Sequence, residues 1–291
     1  MGHTFVNHAK TAMLMAGLFA LFAVVGARFG QGGLLMALVF AGGTNLFAFF
    51  FSDRIAICAM KGREVTPDNA PVVAGYDTSR LYEAVDRLRR RANLPMPRVY
   101  VCPHDAPNAF ATGRSPSKSA VAFTQGLLRT MNQAELEGVI AHELAHVKNR
   151  DTLISTIAAT IAGVLAFAAQ WFFLIGGRRE GNPLIGLVVV IVAAAGAVVI
   201  KGMISRSREY IADADGARIA GDTEGLASAL AKLGGLSKQI PLIQPNPAQN
   251  NLFIVEPFCG KALTSLFATH PPIEARIGAL QRLRPSIERT L

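Results

Sequence analysis

Charge is scarce in this sequence. Asp, Glu, Lys and Arg make up 17% of its 291 residues, where an ordinary soluble domain carries roughly 25%. Hydrophobic residues make up 51% and mean hydropathy is +0.33, which excludes a simple water-soluble domain and points to a membrane protein. Cysteine is scarce as well. Cys58, Cys102 and Cys259 are odd in number, widely separated and form no CxxC, so neither a disulfide framework nor a cysteine zinc site follows. A reducing compartment is implied. There is a single Trp, but 17 Phe and abundant aliphatic residues can bury more surface than ordering the backbone costs, which excludes a disordered chain. Collagen-like, solenoid and other internal repeats are absent.

The charge that is present is mostly positive, with a net value of +9. The basic residues cluster beside apolar runs, a pattern explained by membrane orientation and anionic headgroups, so no nucleic-acid partner is expected. Four stretches contain no Asp, Glu, Lys or Arg: Ala12 to Ala27, Leu34 to Phe51, Leu153 to Ile175 and Leu184 to Ile200. A bilayer core needs about 20 helical residues, which the third supplies alone and the others supply with flanking residues or a thinner bilayer. A cleaved signal peptide would also place Lys10 before an apolar run, but Ala27-Arg28 is a poor processing site and a second run follows at once. Buried core helices are the alternative for the shorter runs. Val6 stands where a myristoylation motif wants Ser or Thr.

We therefore read two transmembrane hairpins, 1–51 and 153–200, and two further blocks, 52–152 and 201–291, on one side of a multi-pass protein. Near the spans that side carries Lys10, Arg54, Lys61, Arg63, Lys148, Arg150, Lys201, Arg206 and Arg208, against Arg28, Arg178 and Arg179 opposite. The positive-inside rule makes it cytoplasmic. In the first block an amphipathic helix is predicted near Ser79 to Arg91, followed by strands at Arg98 to Cys102, Asn108 to Thr112 and Ala120 to Thr124. Asn132 with Glu135 forms a capping box that opens the next helix. The second block reads as helices near Ser205 to Ala220, Thr223 to Leu233 and Ile273 to Leu283, with a Pro- and Asn-rich loop at Gln239 to Asn251. The fold class is α+β, mostly helical, with a small β-sheet.

The capped helix contains His142-Glu143-Leu144-Ala145-His146. At 100° per residue the two histidines project about 40° apart and one turn along the axis, so both rings reach one tetrahedral Zn²⁺, with Glu143 beside them as base. Catalytic zinc needs a third protein ligand. A metzincin would continue with Gly at 149 and His at 152, whereas Asn149 and Thr152 stand there. Asp151 is near in sequence, but a helix running straight into the membrane would carry it more than two turns from the metal, so an N-cap or interfacial role is expected. Glu209, on the helix that leaves the fourth span, is the candidate ligand. Asp213, one turn beyond, is placed to accept the free ring N–H of a ligating histidine. Read from the residues alone, a solvated run of surface ion pairs explains the Arg206 to Asp213 segment about as well. His3, His8 and His104 lack partners at ligand spacing.

HELAH followed by a basic segment ending at Asp151, a hairpin, Ser207 to Ala217 (SREYIADADGA) and Ala268-Thr-His-Pro-Pro272 together resemble the HtpX-type membrane metallopeptidases of the M48 family. The likeness runs in order over nearly the whole chain. It implies a membrane-embedded, gluzincin-type zinc endopeptidase with a zincin-like cytoplasmic domain. Its setting would be a bacterial inner membrane, where it acts in stress response and quality control on misfolded or damaged membrane proteins. One Zn²⁺ per subunit is implied, held by His142, His146 and Glu209, with Asp213 as the aspartate of the ExxxD motif. The resemblance also marks Asn108 and Ala109 as an edge strand that binds extended peptide, where the alternative is a turn Asn before an ordinary strand. It marks His270 as a donor to the oxyanion, where the alternative is a structural cap region ahead of Pro271 and Pro272. Tyr210 is a second possible donor. The partners expected are unfolded or membrane protein substrates and the bilayer. Rival readings are a prenyl-protein peptidase, disfavoured by only four short spans, and a non-catalytic zinc-binding scaffold, which has no use for Glu143.

Overall fold

The computed structural model describes residues 30–73, 75–153, 206–236 and 271–288, with scattered positions between 9 and 27. Most of the first expected span, residues 154–200 of the second hairpin, the loop Gln239 to Asn251 and His270 lie outside them. The described chain is mostly helical with a small sheet.

Helix α1, Gly30–Ala59, contains the expected second span and continues past it. Many of its large apolar side chains are exposed, among them Leu35 (64%), Met36 (71%), Leu46 and Phe47. Counted over the described residues, no helix is long and apolar enough to cross a membrane. The end of α1 is anchored instead of free: Asp53 pairs with Arg98 at 2.7 Å, and Ala56 and Ile57, with Met60 just beyond, are buried against the sheet.

The sheet has the order β1 (Arg63–Val65), β4 (Arg98–Cys102), β6 (Ser119–Thr124), β5 (Ala109–Gly113), and a separate hairpin is formed by β2 (Val72–Val73) and β3 (Tyr76–Asp77). β4 and β6 run parallel, while β1 and β5 pair antiparallel on either side. Side chains alternate with a period of two. Val99, Val101, Ala109, Ala111, Val121 and Phe123 face the main core, whereas Tyr100, Cys102, Phe110, Ala120 and Ala122 face the end of α1. The strands expected from Arg98 and from Ala120 are present, and the one expected from Asn108 begins a residue later. The short β1, the β2/β3 hairpin and helix α3 (Gln125–Thr130) were not anticipated, because segments of two to six residues carry too little periodicity to stand out.

Helix α2, Thr78–Arg91, is capped by Asp77, whose side chain accepts from the Ser79 N–H, and it buries Leu81, Val85 and Leu88. It covers the sheet beside α4, Gln133–Asn149. Against α4 pack α5 (Arg206–Ala220) and α6 (Glu224–Leu236), with α7 (Ile273–Glu288) behind both. The contact between α4 and α6 is close because Gly138 lacks a side chain: a Cβ there would lie 2.5 Å from the Leu226 nitrogen.

Candidate metal centre

The capping box on α4 forms as expected. The Asn132 side chain accepts from the Glu135 N–H at 3.0 Å, and the Glu135 carboxylate accepts from the Asn132 N–H at 2.9 Å. Glu135 is buried and also takes hydrogen bonds from Ser228 and Lys232 of α6, at 2.7 and 2.6 Å. Burial works to raise its pKa, but the donors on Lys232, Ser228 and the Asn132 backbone hold it below the usual carboxylate range. The metal helix is thus fixed at its start.

Three turns further along, His142 and His146 lie edge to face with ring centroids 4.7 Å apart. Their Nε2 atoms face each other at 3.2 Å. Glu209, in the first turn of α5, brings one carboxylate oxygen to 3.7 Å from His142 Nε2 and the other to 3.6 Å from His146 Nε2. The approach of α5 depends on Gly216, where a Cβ would sit 3.0 Å from the Cα and N of His142. Ligand atoms of the three residues all lie within 4.8 Å of one another, and they form the one such group among the described residues.

These separations fit a metal ion. Four ligands about 2.0–2.2 Å from zinc stand roughly 3.3–3.6 Å apart at the corners of a tetrahedron. The hydrogen-bonding chemistry fits too. His146 Nδ1 hydrogen-bonds Asp151 at 3.1 Å, and His142 Nδ1 lies 3.0 Å from Asp213, so a carboxylate stands against the Nδ1 side of each ring. With a proton on each Nδ1, both Nε2 atoms and the Glu209 carboxylate face one another, a donor set that fits a metal cation, and Arg276 Nη2 lies 3.5 Å from His142 Nε2 at its edge. The His146 ring feels the same demand. Burial disfavours its charged form, yet the hydrogen bond to Asp151 and the negative charges of Glu209, Asp151 and Glu143 raise its pKa to about 9. A metal ion replaces that proton when it binds.

A sequence profile of peptidase family M48 matches residues 76–284, which include every residue of this cluster. The chain belongs to peptidase family M48. It is similar to a protease HtpX homolog of Desulforapulum autotrophicum, 48% identical over 94% of this chain and 89% of the relative. It is likewise similar to one of Pelotomaculum thermopropionicum, 46% identical over 96% and 99%, and to one of Burkholderia multivorans, 45% identical over 95% and 97%. The crystal structure of S. mikatae Ste24p superposes with a TM-score of 0.52 at 17% identity, covering 96% of this chain and 66% of that one, a likeness of fold alone. The protein is therefore a metallopeptidase, and its family implies a metal cofactor.

In this M48 peptidase Glu143 is buried on α4 between the two histidines, where its charge acts on His146 and on Arg276. Asp213 is buried, with Oδ1 3.0 Å from His142 Nδ1. Asn108 and Ala109 are buried, at and just before the start of edge strand β5, and the Asn108 N–H donates to Thr124 Oγ1 at 2.8 Å. Tyr210 is half-buried beside Glu209. His104 is not part of the cluster, and its ring lies 3.1 Å from the Met60 carbonyl. Asp151 departs from expectation. The helix does not run straight on: Arg150 adopts a left-handed conformation (φ 58°, ψ 32°) that closes α4, and the chain turns Asp151 back onto His146.

Arg276 had no counterpart in the sequence reading. Only 1% exposed, it donates to both oxygens of Asp213 at 2.8 and 2.6 Å, and its Nη1 lies 3.4 Å from Glu209. Burial opposes its charge, but those carboxylates and Glu143 raise its pKa further. In return, Arg276 and His142 hold Asp213 below the usual carboxylate range against the effect of its own burial. Its position six residues after His270 was the one available signal, and spacing alone gave it no partner.

Proposed function

We propose that the protein is a membrane-embedded, zinc-dependent endopeptidase with a zincin-like domain, hydrolysing peptide bonds of misfolded or damaged membrane proteins on the cytoplasmic side of a bacterial inner membrane. The observation that carries this reading is the convergence of His142, His146 and Glu209, from two helices far apart in sequence, beside the buried Glu143. The relatives named protease HtpX homologs support the activity. The charge-free runs, the flanking basic residues and the exposed apolar side chains of α1 support the membrane setting.

His142, His146 and Glu209 would hold the ion. A zinc ion bound there supplies a Lewis acid that acidifies water and polarises the scissile carbonyl. Glu143 takes the proton from the attacking water and passes it to the leaving amine. Asp213 keeps the proton of His142 on Nδ1, so that Nε2 stays free to ligate. Arg276 holds the carboxylates of Asp213 and Glu209 in place. A substrate strand lies along β5 near Asn108 and Ala109, recognised mainly through its backbone, which suits broad specificity. His270 donates to the developing oxyanion.

The test is cleavage of an unfolded casein-like substrate, together with metal analysis. Glu143→Gln retains zinc and loses turnover, while Glu209→Gln loses zinc. Substantial cleavage by Glu143→Gln removes it as the base, and full zinc occupancy in Glu209→Gln removes that residue from the ligand set.

A further inference from the structure

We propose that Asp151 is a positioning residue for His146, and that the turn 150–152 fixes the metal ligand and the end of strand β5 together. The proposal rests on the reading of His146 as a ligand. On a continuous helix Asp151, five residues beyond His146, would point about 140° away around the axis. The left-handed Arg150 cancels that rotation and brings Asp151 Oδ2 to 3.1 Å from His146 Nδ1, in a site where both side chains are largely buried. The ring proton is thereby kept on Nδ1 and the Nε2 lone pair is aimed at His142 and Glu209.

The other oxygen of Asp151 lies 3.7 Å from the buried Arg208 guanidinium, and Arg208 immediately precedes Glu209. The first turn of α5 therefore supplies one ligand to the centre and a countercharge to the carboxylate behind another. His146–Asp151–Arg208 repeats the order of His142–Asp213–Arg276, ring, carboxylate, guanidinium, with a single 3.7 Å ion pair where Arg276 donates to both oxygens of its carboxylate.

Thr152, the next residue, donates its hydroxyl to the Gly113 carbonyl at 2.9 Å, in a buried contact. Gly113 ends β5 with φ +125°, and a Cβ there would meet the Lys118 carbonyl oxygen at 2.2 Å, so its place is tightly constrained. On the other side Asn149 donates to Asp215 of α5 at 3.0 Å. One short piece of backbone thus joins the metal helix, α5 and the edge strand.

The experiment uses the full chain in detergent. Zinc affinity is measured by chelator competition, the ligand field by the absorption of the Co²⁺-substituted protein, and peptide cleavage as separate kcat and KM. His146→Ala is expected to lose zinc. Asp151→Ala weakens zinc binding by about 10–100-fold, and Asp151→Asn, which keeps an acceptor without the charge, weakens it less while shifting the cobalt spectrum. Thr152→Val leaves zinc affinity unchanged and raises KM, and Thr152→Ser restores it. If His146→Ala keeps its zinc, the ligand reading fails. If His146→Ala loses zinc but Asp151→Ala and Asp151→Asn match the wild type in affinity and spectrum, the role of Asp151 is overturned. An unaltered KM in Thr152→Val breaks the link to β5. Asp151→Asn, nearly isosteric, keeps the test open if Asp151→Ala does not fold.

Discussion

Arg276 shows how strongly a single side chain can commit the interior. A buried guanidinium is tolerated because two carboxylates face it, and those carboxylates are tolerated because it is there. Arg276→Ala leaves Asp213 and Glu209 without their countercharge and is expected to cost about 3–5 kcal/mol of stability, read by denaturant unfolding. Arg276→Lys recovers only part, since a point charge does not match both oxygens of Asp213 as the planar fork does. Equal stability of the alanine variant would show that the pair contributes nothing net. The residue is also a measure of what sequence can carry. His142, Glu143 and His146 are legible because helical periodicity fixes their relation within one turn. Asp213 is legible by its spacing from Glu209. Arg276 meets Asp213 across 63 residues, and nothing local encodes that contact. Asp151 was misplaced for a different reason: one left-handed residue undoes the helical extrapolation, and Arg is not a residue whose presence signals it.

At the scale of elements, the centre depends on how near α5 lies to α4. Gly216→Ala places a methyl group against the His142 backbone, and α5 must move outward by a few tenths of an ångström or more. Zinc affinity is expected to fall with Glu143 and all three ligands intact, as measured by chelator competition; unchanged affinity would show that the helices yield elsewhere. Glu135 ties α4 to α6 as well as capping it. Because its folded pKa is depressed, its contribution is present above the ordinary carboxylate range and is lost as pH falls through the lower folded value. Glu135→Gln is therefore expected to lower stability at neutral pH by about 1–3 kcal/mol and to flatten the loss of stability on acidification. Thermal unfolding at pH 7 and at pH 4 tests both halves of that statement.

For the whole molecule, a metal ion would bind the folded chain, where the three ligands converge, and not the extended one, so metal and fold are linked. Chelation is expected to lower the thermal midpoint, and added zinc to raise it with concentration; a midpoint indifferent to both would detach the cluster from the stability of the domain. Helix α1, docked on the sheet through Asp53 and Arg98, holds the catalytic layer against whatever receives its exposed apolar face. The split origin of the centre has a consequence for biosynthesis. His142 and His146 leave the ribosome well before Glu209, and Arg276 emerges last of all. A half-made polypeptide therefore has a pair of imidazoles and nothing to complete them, and the centre can assemble only after the segments bearing Glu209 and Arg276 have been synthesised.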